Sequence, residues 1–262
     1  MEYPVIVLAA FGVSLLTLYS GFGLGTLLMP VFALFLPLEV AVAATALVHA
    51  SNNIVKVMVL GGGADRELVI RFGLPALFAS FLGAWVLTGM TGHAPLATYR
   101  IGTTVAEITP IKLTMGLLIL AFAVGELHPV LRGLRMDRKW LVPGGILSGF
   151  FGGFSGHQGA LRSAFLVRTG GTPESFVATN AVIGMMVDGA RLLVYGWTFM
   201  MARHAGRLGT DDWLLVIAGI IGATGGVAVG KRYLHKVTME GIRVAAGILL
   251  LGIGILLASG IL

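Results

Sequence analysis

Arg162 stands alone as a charge within FSGHQGALRSAFL (154–166), a glycine-rich and apolar stretch. A guanidinium carries fixed charge and paired N–H donors that match an oxyanion. Inside a membrane-like segment it costs at least about 2.5–3.5 kcal/mol. Either it is a structural arginine bound to loop carbonyls, or an incoming anion supplies the missing charge. A helix starting at about 156–160 would point free N–H groups and a positive dipole end at the same place. His157 and Gln158 sit in that tip and can donate to an anion's oxygens. His157 can also carry a proton, since histidine titrates near neutral pH, although a lone histidine serves equally well as a structural hydrogen-bonding residue. Ser155 and Ser163 are small donors of a kind that often bonds its own helix backbone.

Two further polar stripes run along apolar helices. Thr45, His49, Asn52, Asn53 and Lys56 recur at helical spacing over 40–60, which predicts one shared face turned to a bundle interior or to water. Lys56 lies one turn from the end and either joins that face or snorkels to the interface. Asn180, Gly184, Asp188 and Arg191 form the matching stripe in the second half, with Thr179 aligned to Thr45. Asp188 and Arg191, three apart, can pair locally and lower each other's insertion cost. Read functionally, Asp188 takes a driving proton and releases Arg191, and Lys56 is a further coupling candidate. Glu107 and Glu126 fall at segment edges and are expected to be solvated.

These residues need elements to hold them. The 262 residues are 56% hydrophobic and only 11% charged, against about 25% charge in a soluble domain, which excludes a water-soluble globule. No charge occurs between Glu2 and Glu39, or after Arg243. Runs of that length read as membrane-spanning helices, so the fold class is an all-α polytopic membrane protein. Cysteine is absent, which excludes disulfides and thiolate metal sites; no metal ligand set, catalytic group or cofactor is expected. The net charge of +6 sits mostly in connecting segments, where it sets orientation and calls for no nucleic acid. Lacking a basic start and a cleavage site, the N-terminus reads as mature sequence.

Apolar segments at about 3–36, 40–60, 69–90, 112–131, 140–168, 174–200, 212–230 and 243–262 are divided four and four by the charge run Arg132–Lys139. This gives a first transmembrane repeat over 1–131, a basic cytoplasmic linker over 132–139 and a second repeat over 140–262. At an offset of 134, Ser14 meets Ser148, Gly25 meets Gly159, and Ala44-Thr45 meets Ala178-Thr179. Segment 3–36 would be about 50 Å long as one helix, against a hydrocarbon core of about 30 Å. Gly21, Gly23 and Gly25 interrupt it, as Gly152, Gly153, Gly156 and Gly159 interrupt 140–168. Each is a kinked helix or a hairpin of two half-helices. Hairpins place only Arg100, Lys112, Arg203 and Arg207 on one side. They put Arg66, Arg71, Arg132, Arg135, Arg138, Lys139, Arg168, Lys231, Arg232, Lys236 and Arg243 on the other. Single crossings would leave the loop charge almost evenly divided, so charge bias favours hairpins with both termini outside. A hairpin plus three spanning helices per repeat makes the second repeat inverted. The tips, with Gly23, Gly25 and Gly156, then approach each other at a polar cavity near the bilayer centre. Gly83, Gly222 and Gly247 are read instead as close-packing residues.

The stretches GFGLGTLLMP (21–30) and PLEVAVAATALV (37–48), echoed by GGFSGHQGALRSAFL (152–166) and TPESFVATNAVI (172–183), carry a resemblance. In these and in its length and layout, the chain resembles the TauE/SafE sulfite exporter family, also called the toluene-sulfonate uptake permease family. The resemblance implies a secondary transporter for sulfite or a small organosulfonate, coupled to an ion or proton gradient, in the cell inner (cytoplasmic) membrane. The expected partners are a small anionic substrate and the lipid bilayer; a homodimer is left open. The substrate-binding candidates are Arg162, His157, Gln158, Gly23, Gly25, Gly156, Thr45, His49, Asn52, Asn53, Thr179 and Asn180. Two alternatives stay open at this level: a membrane lipid-pyrophosphate phosphatase, although no E-x-x-x-E pair occurs, and an anion channel.

Overall fold

A computed structural model describes residues 2–17, 24–132, 136–166, 171–201, 209–233 and 239–262. The helices are α1 (Glu2–Thr17), α2 (Leu24–Phe32), α3 (Leu38–Leu60), α4 (Arg66–Leu68), α5 (Leu74–Gly89), α6 (Pro110–Leu127), α7 (Pro129–Arg132), α8 (Leu141–Ser155), α9 (Gln158–Leu166), α10 (Pro173–Met201), α11 (Thr210–Tyr233) and α12 (Met239–Ala258). A π-helical turn, Val69–Gly73, runs α4 into α5, so Arg66–Gly89 is one continuous rod. Local chemistry sets several starts. The Asp65 side chain accepts from Leu68 N, and Thr109 accepts from Lys112 N with Pro110 in the first turn.

Among the described residues five helices are long and apolar enough to cross a membrane: Leu38–Met58, Arg66–Gly89, Pro110–Leu127, Pro173–Thr198 and Thr210–Gly230. Large apolar side chains point outward from them, including Phe78, Trp85, Leu193, Trp197 and Ile221. Water would penalise such a surface, whereas lipid tails solvate it. The chain is an all-α polytopic membrane protein.

Contacts divide it into two compact units, Met1–Val86 with Arg135–Val237, and Leu87–Leu134 with Thr238–Leu262. In the first unit both glycine-broken segments are fold-backs. A Cβ on Gly144 would sit 2.5 Å from the Phe165 ring, Ser148 Oγ donates to the Gln158 carbonyl at 3.1 Å, and Met136 N donates to the Ala164 carbonyl at 3.0 Å. A continuous helix would hold residues 144 and 165 about 31 Å apart. α8 and α9 are therefore antiparallel, turning at Gly156, whose φ of +80° caps α8 in the left-handed region that glycine adopts without strain. Likewise, Ile6 of α1 and Phe32 of α2 both reach the same point, lying 3.6 and 3.1 Å from a Cβ built on Gly219. The residues between α1 and α2 lie outside the described set.

Each hairpin's longer arm rests on a helix of the other half of the chain. Gly145, Gly149 and Gly153 of α8 press against backbone at Phe72, Ala76 and Ser80, and Gly83 meets the Phe150 carbonyl. Gly222 and Gly226 of α11 press against the carbonyls of Val7 and Phe11 in α1. Added Cβ atoms there would lie within 2.0–2.4 Å of carbonyl oxygens, so the backbones touch and the small residues are what lets them. The read of Gly83 and Gly222 as packing residues matches this geometry. α3 and α10 lie side by side between the two hairpins. The apolar core of the unit gathers Ile6, Leu24, Leu28, Phe32, Val48 and Val216 near the first hairpin.

The second unit pairs α6 with α12 and carries an antiparallel hairpin, β1 (Ala97–Ile101) with β2 (Thr104–Ile108). The sequence reading placed no strand there, yet TYRIGTTVAEI alternates about a Gly-Thr turn with Gly102 at φ +59°. Tyr99 Oη donates to the Ser259 carbonyl at 2.6 Å and Glu107 N to the Gly260 carbonyl at 3.0 Å, tying the hairpin to the end of α12. Gly116 and Gly247 are packing glycines of this pair. Glu107 is exposed, as expected, but Glu126, also expected in solvent, is buried on the inner face of α6.

Candidate functional site

Between the hairpins of the first unit the polar stripes of α3 and α10 face one another, with α9 closing the third side. Asp188 of α10 is fully buried and is the common acceptor. Its Oδ2 takes His49 Nδ1 at 2.6 Å and Asn53 Nδ2 at 3.0 Å. Its Oδ1 takes Gln158 Nε2 at 3.1 Å, Arg191 Nε at 3.0 Å and Arg191 Nη2 at 2.7 Å. The local pair expected between Asp188 and Arg191 forms, and three more side chains from two other helices join it.

Arg162 lies one turn into α9 and is buried. Its Nε donates to Asn180 Oδ1 at 2.7 Å and its Nη1 to Gln158 Oε1 at 3.1 Å. Gln158 thus donates to Asp188 and accepts from Arg162, joining the two charges through one amide. Asn180 is held by its own helix through the Phe176 carbonyl. Gly184 leaves room for the junction: a Cβ there would lie 2.6 Å from Asn53 Nδ2 and 3.2 Å from Arg162 Nη1.

Arg191 and Tyr195 hold the turn itself. Arg191 Nη1 donates to the Gly152 carbonyl at 3.4 Å, and Tyr195 Oη donates to the Gly153 carbonyl. These carbonyls are at the end of α8; that of Gly152 also accepts from Gly156 N at 3.0 Å, the bond that closes the helix. Tyr195 was not singled out from sequence, although it continues the Asp188–Arg191 stripe by one more turn. His157 sits in the turn, its Nδ1 against Ser155, whose hydroxyl bonds the Phe151 carbonyl. On the other side Gly25 arrives: a Cβ on it would be 2.9 Å from the Gly156 carbonyl oxygen and 3.8 Å from Thr45 Cγ2. The two tips therefore meet at Gly25 and Gly156. Gly23 lies outside the described residues.

Other candidates turn elsewhere. Asn52 faces α1, where Ser14 Oγ donates to its Oδ1 at 3.0 Å, so the α3 stripe divides between two neighbours. Thr45 Oγ1 bonds the Ala41 carbonyl, and Thr179 Oγ1 accepts from Asp65 N, anchoring the turn before α4. Lys56 is buried at 8% exposure, so it joins the interior and does not snorkel. It lies close enough to Arg162 for their charges to interact, and among the described residues no carboxylate pairs with it.

Among the described residues of this unit, the buried charges are Lys56, Arg162 and Arg191 against Asp188. Such an excess is expensive in a low-dielectric interior unless an anion or water compensates it. Unused hydrogen-bonding atoms lie in the same unit: Asn52 Nδ2, Thr26 Oγ1 and Ser163 Oγ are buried without a partner among the described residues. Groups of three or more metal-ligating side chains do not occur among them.

Broken helices meeting at a buried polar cluster within a membrane bundle are the arrangement in which secondary transporters bind substrate. The chain matches the family described as Sulfite exporter TauE/SafE over residues 6–257, nearly its whole length, and belongs to that family. No curated protein matches it. Family membership makes the chain a transporter and sets the phosphatase alternative aside.

Proposed function

We propose that the chain carries sulfite or a small organosulfonate across the cytoplasmic membrane as a gradient-coupled secondary transporter, and that its substrate sits beside Arg162. The observation that supports this most is the charge imbalance: among the described residues of the unit there are three buried cations and one buried carboxylate, which is already filled by five donors. Arg162 and Lys56 supply the unspent positive charge, Asn180 and Gln158 orient the guanidinium, and the N-terminus of α9 adds backbone donors. The tips at Gly25 and Gly156 form one wall. Asp188 with Arg191 and Tyr195 braces the other.

The reciprocal seating of each hairpin on the opposite half supports an inverted duplication over 1–131 and 140–262. In that arrangement transport proceeds by rocking one half against the other about the tips. The test is a thermal-shift screen of purified protein against sulfite, thiosulfate, sulfoacetate, taurine and sulfate, followed by flux into proteoliposomes. A ligand that binds the folded form raises its apparent stability. Saturable flux that follows an imposed proton gradient marks a carrier; a non-saturating current marks a channel and contradicts the proposal.

A further inference from the structure

We infer that His49 is the proton-carrying group of this transporter and that Asp188 is its fixed counter-charge; the inference rests on the anion-transport reading. Both residues are buried and touch at 2.6 Å. An ionised carboxylate has no proton to give, so Nδ1–H of His49 is the donor in that contact, and the neutral ring keeps a lone pair on Nε2. A proton arriving from water adds at Nε2 and leaves every hydrogen bond of Asp188 intact. A proton placed on Asp188 instead would put an O–H where an N–H already points, because its two oxygens receive five donors from three helices. The geometry makes Asp188 a poor site for reversible protonation and a good one for holding an imidazolium.

The charges around the ring decide what protonation does. Asp188 and Arg191 face it from α10, Arg162 approaches from α9, and Lys56 shares α3 with it. α2 has no titratable residue, and those of α1 and α11 lie at the helix ends. Among the described buried groups, neutral His49 leaves two cations in excess and protonated His49 leaves three. One more positive charge strengthens attraction for an anion, and by linkage a bound anion strengthens proton binding by the same factor. Anion and proton then travel together, and affinity is high below the titration of His49 and falls as pH rises through it.

Thiosulfate, which does not itself titrate near neutrality, is the probe. Its affinity for wild type and for His49→Gln is measured by thermal shift and calorimetry over about pH 5.5 to 8.5, the window in which imidazole changes charge. Glutamine keeps an N–H for Asp188 but takes no proton. Wild type is expected to lose affinity by about tenfold per pH unit above the titration, with proton uptake on binding. The variant is expected to hold the weak high-pH affinity throughout, with no proton uptake. A variant with the wild-type slope, or a wild type that binds without one, overturns the inference and leaves the transport reading standing. Wild type that binds none of the screened anions overturns both. Should the variant fail to fold, imidazole NMR of a form keeping His49 and replacing the other five histidines reads the same point: a His49 titration shifted upward by thiosulfate supports the assignment, and one unmoved overturns it.

Discussion

His49 of α3 and Asp188 of α10 meet at 2.6 Å across 139 positions of sequence, and that contact joins the polar faces of the two halves of the chain. Helices of the first half contribute His49 and Asn53 to the carboxylate; the second half contributes Gln158 and Arg191. One buried acid therefore fixes the relative placement of α3, α9 and α10. Its removal strands a buried guanidinium. Asp188→Asn is expected to cost about 3–5 kcal/mol of stability, the usual result of leaving one partner of a buried pair uncompensated. A thermal midpoint in detergent equal to wild type would show that the carboxylate is dispensable for the fold.

Gly156 is expected to tolerate no side chain. Alanine there meets the left-handed backbone at a cost of about 1–2 kcal/mol, and its Cβ would press on Arg191 Nη1 at 3.0 Å. Gly25→Ala acts differently, since its φ is ordinary and its Cβ pushes on the Gly156 carbonyl at 2.9 Å. The expectation is a clear loss of thermal stability for Gly156→Ala and a smaller one, with lost transport, for Gly25→Ala. Equal stability of all three proteins counts against tip-to-tip contact.

The fold-backs can be checked chemically because the chain has no cysteine of its own. Cysteines replacing Gly144 and Phe165 are expected to cross-link with a short bifunctional maleimide, as the two positions touch. A kinked but continuous helix would hold them about 31 Å apart, and no cross-link would form.

If each hairpin folds back within the membrane, the loop charges favour both termini outside the cytoplasm, and this orientation is a proposal. A reporter active only in the cytoplasm, fused after Leu262, is expected to be silent, and one inserted in the 132–139 run is expected to be active. The reverse pattern contradicts this orientation.

Much of this was legible in the residues. Uncharged runs gave the membrane class, the second glycine break falls where the chain turns at Gly156, and helical spacing put Asn180, Gly184, Asp188 and Arg191 on one face. What spacing along one helix cannot say is which neighbour that face meets. Asn52 and Asn53 are adjacent in sequence, yet one bonds Ser14 and the other Asp188, because α3 is packed on two sides. Lys56 was equally able to reach the interface, and only the neighbouring helices decide that it is enclosed. Tyr195 escaped notice because a tyrosine near a helix end usually reads as an interfacial anchor; here it bonds a broken helix's carbonyl. The β-hairpin was hidden by its surroundings, a short alternating run in a chain whose every other signal is helical.

Arg162 is the proposed anion site. Its hydrogen-bond partners Asn180 and Gln158 are neutral, so on the proposed reading its charge is compensated by a bound anion. The decisive measurement is the anion-induced thermal shift of wild type, Arg162→Ala and Arg162→Lys at matched concentration. A shift is expected for wild type, none for alanine, and for lysine a shift needing at least about tenfold more anion, since a point charge lacks the two-donor geometry. An alanine variant that folds and binds anion with wild-type affinity would contradict the proposed site.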